Sequence, residues 1–309
     1  MFGLLPPSIS HEGYSAKPAY SYWDDWWGVR GMADAAVLAR VAGDTVRARL
    51  FARSAKEFQA DVVASIARAM RVHRMPVMPG AADLGDFDPT SSTIALEPAQ
   101  ALDVLPNVAV AATFDSAWAN FRRRRDSNAW DVYTPYEWRQ AGSFIRLGQP
   151  ERAHALAEWF MSTRRPAEWN EWSEAIWRDA RAPKFIGDMP HGWVASDFIR
   201  ATLDMIAYER ESDSTLVVGA GIPLDWARSP TGVTVRGVHT WWGTLDLTMR
   251  ATRNVVRTTV QGVQPPGGIV LCAPFGPSPR SVRVNGKTSS LNARREVRVR
   301  APAVVEFEY

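Results

Sequence analysis

Four short stretches of this 309-residue chain set aromatic rings beside carboxylates. The first is His11-Glu12-Gly13-Tyr14 with Tyr22-Trp23-Asp24-Asp25-Trp26-Trp27, and the second is Asp83-Leu84-Gly85-Asp86-Phe87-Asp88. The third is Asp126-Ser127-Asn128-Ala129-Trp130-Asp131-Val132-Tyr133. The fourth is Trp169-Asn170-Glu171-Trp172-Ser173-Glu174, which runs on to Pro190-His191-Gly192-Trp193. Rings of this kind stack on the C–H faces of sugars, while acids beside them bind hydroxyls or move protons. The pairing therefore points to a carbohydrate ligand.

Glycoside hydrolysis uses one carboxylic acid to protonate the leaving oxygen and one carboxylate to activate water, ~6.5–9.5 Å apart in inverting enzymes. Glu174 is the candidate base and Glu171 its alternative, since residues three apart on a helical turn share a side. Both could instead be surface glutamates. Glu12 is the candidate acid. Asp24 and Asp25 suit either a helix N-terminus or sugar hydroxyls. Asp83, Asp86 and Asp88 alternate as calcium ligands do, but no Glu follows at the EF-hand position and Pro89 intervenes. Asp86 and Asp88 are therefore expected to bind substrate or to hydrogen-bond their own loop. Tyr22, Trp23, Trp130, Tyr133, Trp172, His191 and Trp193 complete the substrate-binding candidates; His191 equally suits a structural hydrogen bond. No metal ligand set and no cofactor is expected.

These loops must be held by helices. Apolar residues at helical spacing predict helices over 23–41, 45–72, 91–104, 108–124, 134–147, 151–163 and 192–211. Asp44 is placed to cap the second. Short turns at 43–44, 105–107 and 148–150 alternate with long loops at 73–90, 125–133 and 164–191. Short connections make antiparallel neighbours, so every ring-and-carboxylate loop is expected on one face. After Ser212 the pattern changes to alternating strands separated by Gly, Pro or Asn. The expected fold is mainly α, a partial helical toroid over 1–212, followed by an antiparallel β-sandwich over 213–309.

Composition narrows the alternatives. A 46% hydrophobic content supplies a sizeable core, and a net charge of +3 is small. The run Arg122-Arg123-Arg124-Arg125 is followed at once by Asp126, and reads as a solvated helix end, so no nucleic-acid partner is expected. One cysteine, Cys272, forbids an intrachain disulfide and a thiolate zinc cluster. No apolar run reaches membrane-spanning length, and no membrane partner is expected. Met1-Phe2-Gly3-Leu4-Leu5-Pro6-Pro7 lacks the features of a signal peptide. Nucleophile-elbow, Walker, dinucleotide and His-Glu-x-x-His motifs are missing from the sequence.

Three segments resemble the six-hairpin glycosidases, the (α/α)6 toroids that include α-L-rhamnosidases, trehalases and glucoamylases. Ser21-Tyr22-Trp23-Asp24-Asp25-Trp26-Trp27 is similar to a substrate-facing helix start of trehalase-like enzymes. Trp172-Ser173-Glu174 followed by Pro190-His191-Gly192-Trp193-Val194-Ala195 resembles the base-bearing loop and next helix of rhamnosidases. Gly219-Ala220-Gly221-Ile222-Pro223 to Thr240-Trp241-Trp242-Gly243-Thr244-Leu245 is similar to the sandwich after that barrel. The resemblance implies an acid before the sixth helix and a base before the twelfth. If 192–211 is the twelfth, 23–42 is the sixth, with Glu12 ahead of it. Five helices are then missing, so the chain is expected to be the C-terminal part of a larger enzyme, with relatives in the periplasm or secreted. Apolar edges left on 23–42 and 45–72 predict self-association or cover by an N-terminal portion, and a chain that by itself is aggregation-prone, oligomeric or inactive. The competing expectations are a sugar-binding protein without catalysis, and a polysaccharide lyase using Tyr133 or His191 as base with the Arg122–Arg125 run.

Overall fold

The computed structural model describes residues 3–9, 16–127, 129–179 and 188–309. It divides into two compact units, Met1–Trp130 and Asp131–Tyr309. The change from helices to strands, expected at 212/213, thus falls inside the second unit.

The first unit is helical: α1 (Tyr22–Val41), α2 (Thr45–His73), α3 (Pro89–Leu96) and α4 (Asn107–Ser127). α1 and α2 pack as a hairpin. Gly43 turns the chain at φ +80, a left-handed value that glycine adopts without a Cβ clash. Asp44 then caps α2 by accepting the Arg47 N–H at 2.9 Å. The helix expected over 91–104 stops at Leu96. Glu97 is extended at φ −155 and ψ 121, because the ring of Pro98 disfavours the helical conformation in the residue before it. Tyr22, Trp26 and Val29 of α1 and Val62 and Ile66 of α2 are buried. Val37, Leu38, Val41, Val46 and Leu50 of the same hairpin are exposed.

Asp25 is buried in the first turn of α1. Its Oδ1 accepts the Leu5 N–H at 2.9 Å, while Oδ2 has no hydrogen bond among the described residues. Burial, with Asp24 beside it, pushes its carboxyl up to about 7 against the Leu5 hydrogen bond.

The second unit opens with β1 (Val132–Tyr133), a 3-10 turn over Pro135–Glu137, α5 (Trp138–Arg146) and α6 (Pro150–Ser162). β2 (Ile176–Trp177) pairs with β1, and α7 (Gly192–Ile206) follows. α7 stops five residues before its expected end. Ala207 turns extended and starts β3 (Ala207–Arg210), which pairs with β4 (Thr215–Val218). Backbone pairing in a sheet overrides the helical spacing of those residues. After the short α8 (Leu224–Arg228) come β5 (Val233–Thr240), β6 (Gly243–Thr252), β7 (Val255–Val263) and β8 (Ile269–Cys272). The chain ends with β9 (Ser281–Val284), β10 (Lys287–Ser289), β11 (Glu296–Val299) and β12 (Ala303–Glu308).

The strands form a six-stranded sheet, β10-β9-β12-β7-β6-β5, and a four-stranded sheet, β11-β8-β4-β3. One pair, β4 with β8, is parallel; the other pairings are antiparallel, as expected. Leu216, Val218, Ile269 and Leu271 share one core with Leu247, Met249, Val260 and Phe307. Alternation of period two sends these side chains inward and their neighbours out.

α5 packs on both α6 and α7. Two ion pairs cross from α5 to α7: Arg139 Nε lies 2.7 Å from Asp197 Oδ2, and Arg146 holds Asp204 through bonds of 3.0 and 3.1 Å. The second pair is bidentate and almost fully buried, with side chains 8% and 3% exposed. In each helix the paired residues are seven apart, about two turns, so α5 and α7 run parallel. Burial raises the Asp204 carboxyl, and Arg146 opposes that rise.

Two predictions follow from these buried acids. Asp204→Ala leaves Arg146 uncompensated and lowers unfolding free energy by about 3–5 kcal/mol; the double variant Arg146→Met/Asp204→Leu recovers most of it. Urea unfolding of the three proteins checks this. Asp25 is protonated in both folded and unfolded chains below about pH 4. Above that the unfolded state loses its proton first, so stability falls as pH rises towards 7, by up to ~4 kcal/mol from this group. Melting temperatures between pH 4 and 8 are expected to show that fall, and Asp25→Asn to flatten it.

Candidate functional site

In the first unit the fold joins the first and second ring-and-carboxylate stretches. Tyr22 N–H donates to Gly80 O at 2.9 Å and Ala82 N–H to Tyr20 O at 2.9 Å. Asp83 accepts the Tyr20 N–H, and Asp86 accepts the Ala81 N–H. Asp88 caps α3 by accepting from Thr90 and Ser91. Asp86 and Asp88 thus hydrogen-bond the backbone of their own loop and helix. Tyr22 is buried with its hydroxyl 2.9 Å from Ser65 Oγ, and burial pushes that hydroxyl up to about 12. Asp24 accepts from the Ser8 hydroxyl. Trp23 is half-buried, with Trp27 beside it at a ring separation of 6.3 Å. Trp130, also half-buried, ends this unit. Glu12 lies outside the described residues. A hollow of about 550 Å³ at the C-terminal end of α2 is lined by Met70, Arg71, Arg74 and Met75 among others, with no acid in its wall. It offers no proton chemistry.

In the second unit the fold joins the third and fourth stretches. β1 pairs with β2 so that Tyr133 faces Ile176 and Val132 faces Trp177. Tyr133 is buried, stacked on Phe160 at 5.5 Å, with its hydroxyl 2.6 Å from Thr163 Oγ1. Trp172 is 1% exposed. It donates its indole N–H to Phe160 O and meets Trp138 and Phe198 edge-on or tilted. A sugar cannot stack on rings enclosed in this way. Tyr22, Tyr133 and Trp172 anchor the loops, and Trp193 and Trp169, 58% and 53% exposed, present ring surface instead.

A polar cluster joins the loop of Glu174 to the start of α7. Asp188 Oδ2 accepts the Glu174 backbone N–H at 3.1 Å and lies 2.8 Å from His191 Nδ1. His191 Nε2 is 2.7 Å from the Tyr136 hydroxyl. His191 thus meets the Asp188 carboxylate through Nδ1 and the Tyr136 hydroxyl through Nε2. Arg139 covers the Tyr136 ring at 4.5 Å and pairs with Asp197. Burial pushes the Asp197 carboxyl up to about 6, opposed by Arg139 and His191. Glu174 and His191 are therefore fixed through one carboxylate. Glu171 is half-buried, and its Oε2 has no hydrogen bond among the described residues.

Asp188 and Tyr136 were not among the sequence candidates. An acid three residues ahead of His191, where a helix begins, is the signal that points to Asp188. For Tyr136 the sequence holds no such signal, since its partner is 55 positions away. Donor atoms of Glu174, Asp188 and His191 lie within 4.8 Å of one another. Three such groups could close on a divalent cation, but both imidazole nitrogens are already engaged, and one bond would have to break.

No protein-family model and no curated protein matches the chain. Among solved structures it is similar to an α-L-rhamnosidase from Dictyoglumus thermophilum, at a TM-score of 0.50 and 12% sequence identity. The match covers 92% of this chain and 32% of that enzyme, so the chain spans about a third of its length. At this identity the likeness is one of fold: helices followed by a β-sandwich.

Proposed function

We propose that this chain carries the base-side portion of a glycoside hydrolase site, on part of an (α/α)6 toroid, with Glu174 as the general base. The observation that supports it most is the Glu174–Asp188–His191 cluster at the head of α7, in a stretch of chain that also carries the exposed Trp169 and Trp193. The neighbouring fold of an α-L-rhamnosidase agrees with this reading without determining the substrate. In the proposed reaction the Glu174 carboxylate takes a proton from water as that water attacks the anomeric carbon, and an acid protonates the departing oxygen. Net inversion follows. Asp188 holds the Glu174 backbone, and His191 and Trp193 contact sugar hydroxyls and the ring face. Glu12 is the proposed acid. Asp24 and Trp23 are the proposed sugar contacts of the first unit, and the exposed apolar residues of α1 and α2 are covered by a preceding portion or by a second copy.

A polysaccharide lyase is the second reading, and one contact favours it. The Tyr136 hydroxyl sits on an imidazole that is itself oriented by Asp188, an arrangement suited to removing a carbon-bound proton. It would give products with an unsaturated uronate absorbance, and the hydrolase would not.

An aryl α-L-rhamnoside is the first probe. In the larger enzyme of which this chain is proposed to be a part, hydrolysis is expected, with inversion seen by proton NMR. Glu174→Gln is expected to lower kcat by ~10²–10⁴-fold, the range for loss of a general base, with an unchanged melting temperature. Glu171→Gln is expected to change kcat far less. Full activity in Glu174→Gln would overturn the assignment.

A further inference from the structure

We infer that the outer face of the six-stranded sheet binds an acidic polysaccharide through Arg250, Arg257 and Arg283. The strand register places these residues in one row. Arg250 of β6 lies opposite Arg257 of β7, Arg257 opposite Glu306 of β12, and Glu306 opposite Arg283 of β9. The inward neighbours in these strands, Met249, Val256, Val282 and Phe307, belong to the core or are buried, so the arginines project to the other side, and all three are exposed.

Charge sets the ligand. Glu306 neutralises Arg257 through a 2.6 Å contact. Arg250 lies in direct register with Arg257, a like-charge placement that Glu306 offsets on the Arg257 side only and that a bound anion would relieve further. Arg250, Arg257 and Arg283 outnumber the single acid of the row.

Spacing and neighbours favour a polysaccharide over other polyanions. The row runs across the strands, which lie about 4.8 Å apart, close to the repeat of a pyranose chain carrying one carboxylate per sugar. A second row of Thr234, Thr248 and Thr259 lies alongside, with hydroxyls that match sugar hydroxyls. Neither row contains an aromatic ring, so the stacking platform that single-stranded nucleic acid needs is missing from these positions. The three arginines stand on β6, β7 and β9 and Glu174 in the loop before β2, so this inference does not depend on the hydrolase reading.

Affinity electrophoresis through polygalacturonate tests it, with dextran as the uncharged polymer and a thymidine oligonucleotide as the alternative polyanion. Retardation is expected in polygalacturonate alone, weakening with added salt. Arg250→Gln/Arg283→Gln is expected to weaken binding at least tenfold and to melt no lower than the parent, since the exchange removes like charges from exposed positions. Glu174→Gln is expected to bind as the parent does, which separates this surface from the hydrolase site. Equal retardation by dextran, tighter binding of the oligonucleotide, or unchanged binding by the double variant would each overturn the inference.

Discussion

The pair of Arg–Asp bridges between α5 and α7 is the constraint on which the second unit depends. Arg139 with Asp197 and Arg146 with Asp204 share one offset along both helices, so the helices cannot slide without breaking both. Arg146 also lies over Tyr208, the first buried side chain of the sandwich strands, at 4.5 Å. Arg139 lies over Tyr136, which reaches His191. One bridge thus borders the β-sheet and the other borders the polar cluster. A buried ion pair contributes little net stability, but losing one partner is costly. Its value here is in fixing register.

That register sets what the loops can do. The start of α7 carries His191 and Trp193, and the loop ahead of it carries Glu174. Asp188 ties these together by accepting from the backbone of one and the ring of the other. Trp172, enclosed by Trp138 and Phe198, anchors the loop from beneath. Burial of rings under the loop and exposure of rings beside it are complementary. The first hold the loop, and the second are left for a ligand to cover.

The first unit uses its acids differently. Asp83 accepts from the backbone of Tyr20 just ahead of α1, Asp86 from its own loop and Asp88 from the first turn of α3. Asp25 is buried under the segment that includes Leu5, at the cost of a carboxyl that resists ionisation. Two acids adjacent in sequence therefore differ in character: Asp24 is half-exposed and accepts from Ser8, while Asp25 faces the interior.

Much of this was legible in the sequence. Helical spacing and the Asp44 cap placed the α1–α2 hairpin, and period-two alternation placed the strands of the sandwich, because both patterns follow from local backbone geometry. The ring-and-carboxylate stretches marked the loops that the fold joins in pairs. The sequence did not separate rings that anchor from rings that face solvent: Trp172 and Trp193 look equivalent as letters, and only packing against Trp138 and Phe198 distinguishes them. Nor did it show the end of α7, where pairing with β4 captures residues of helical spacing. Asp188 could be suspected from His191 three positions on, but Tyr136 and the Arg–Asp bridges were beyond reach because their partners lie 55 to 58 positions away. Sequence alone determined most of which segments are helix, strand and loop, since those choices are largely made within a few residues; the strand Ala207–Arg210 is the exception that pairing decides. Which carboxylate is held, which is buried and which faces solvent is decided by distant side chains, and only the tertiary structure brings those together.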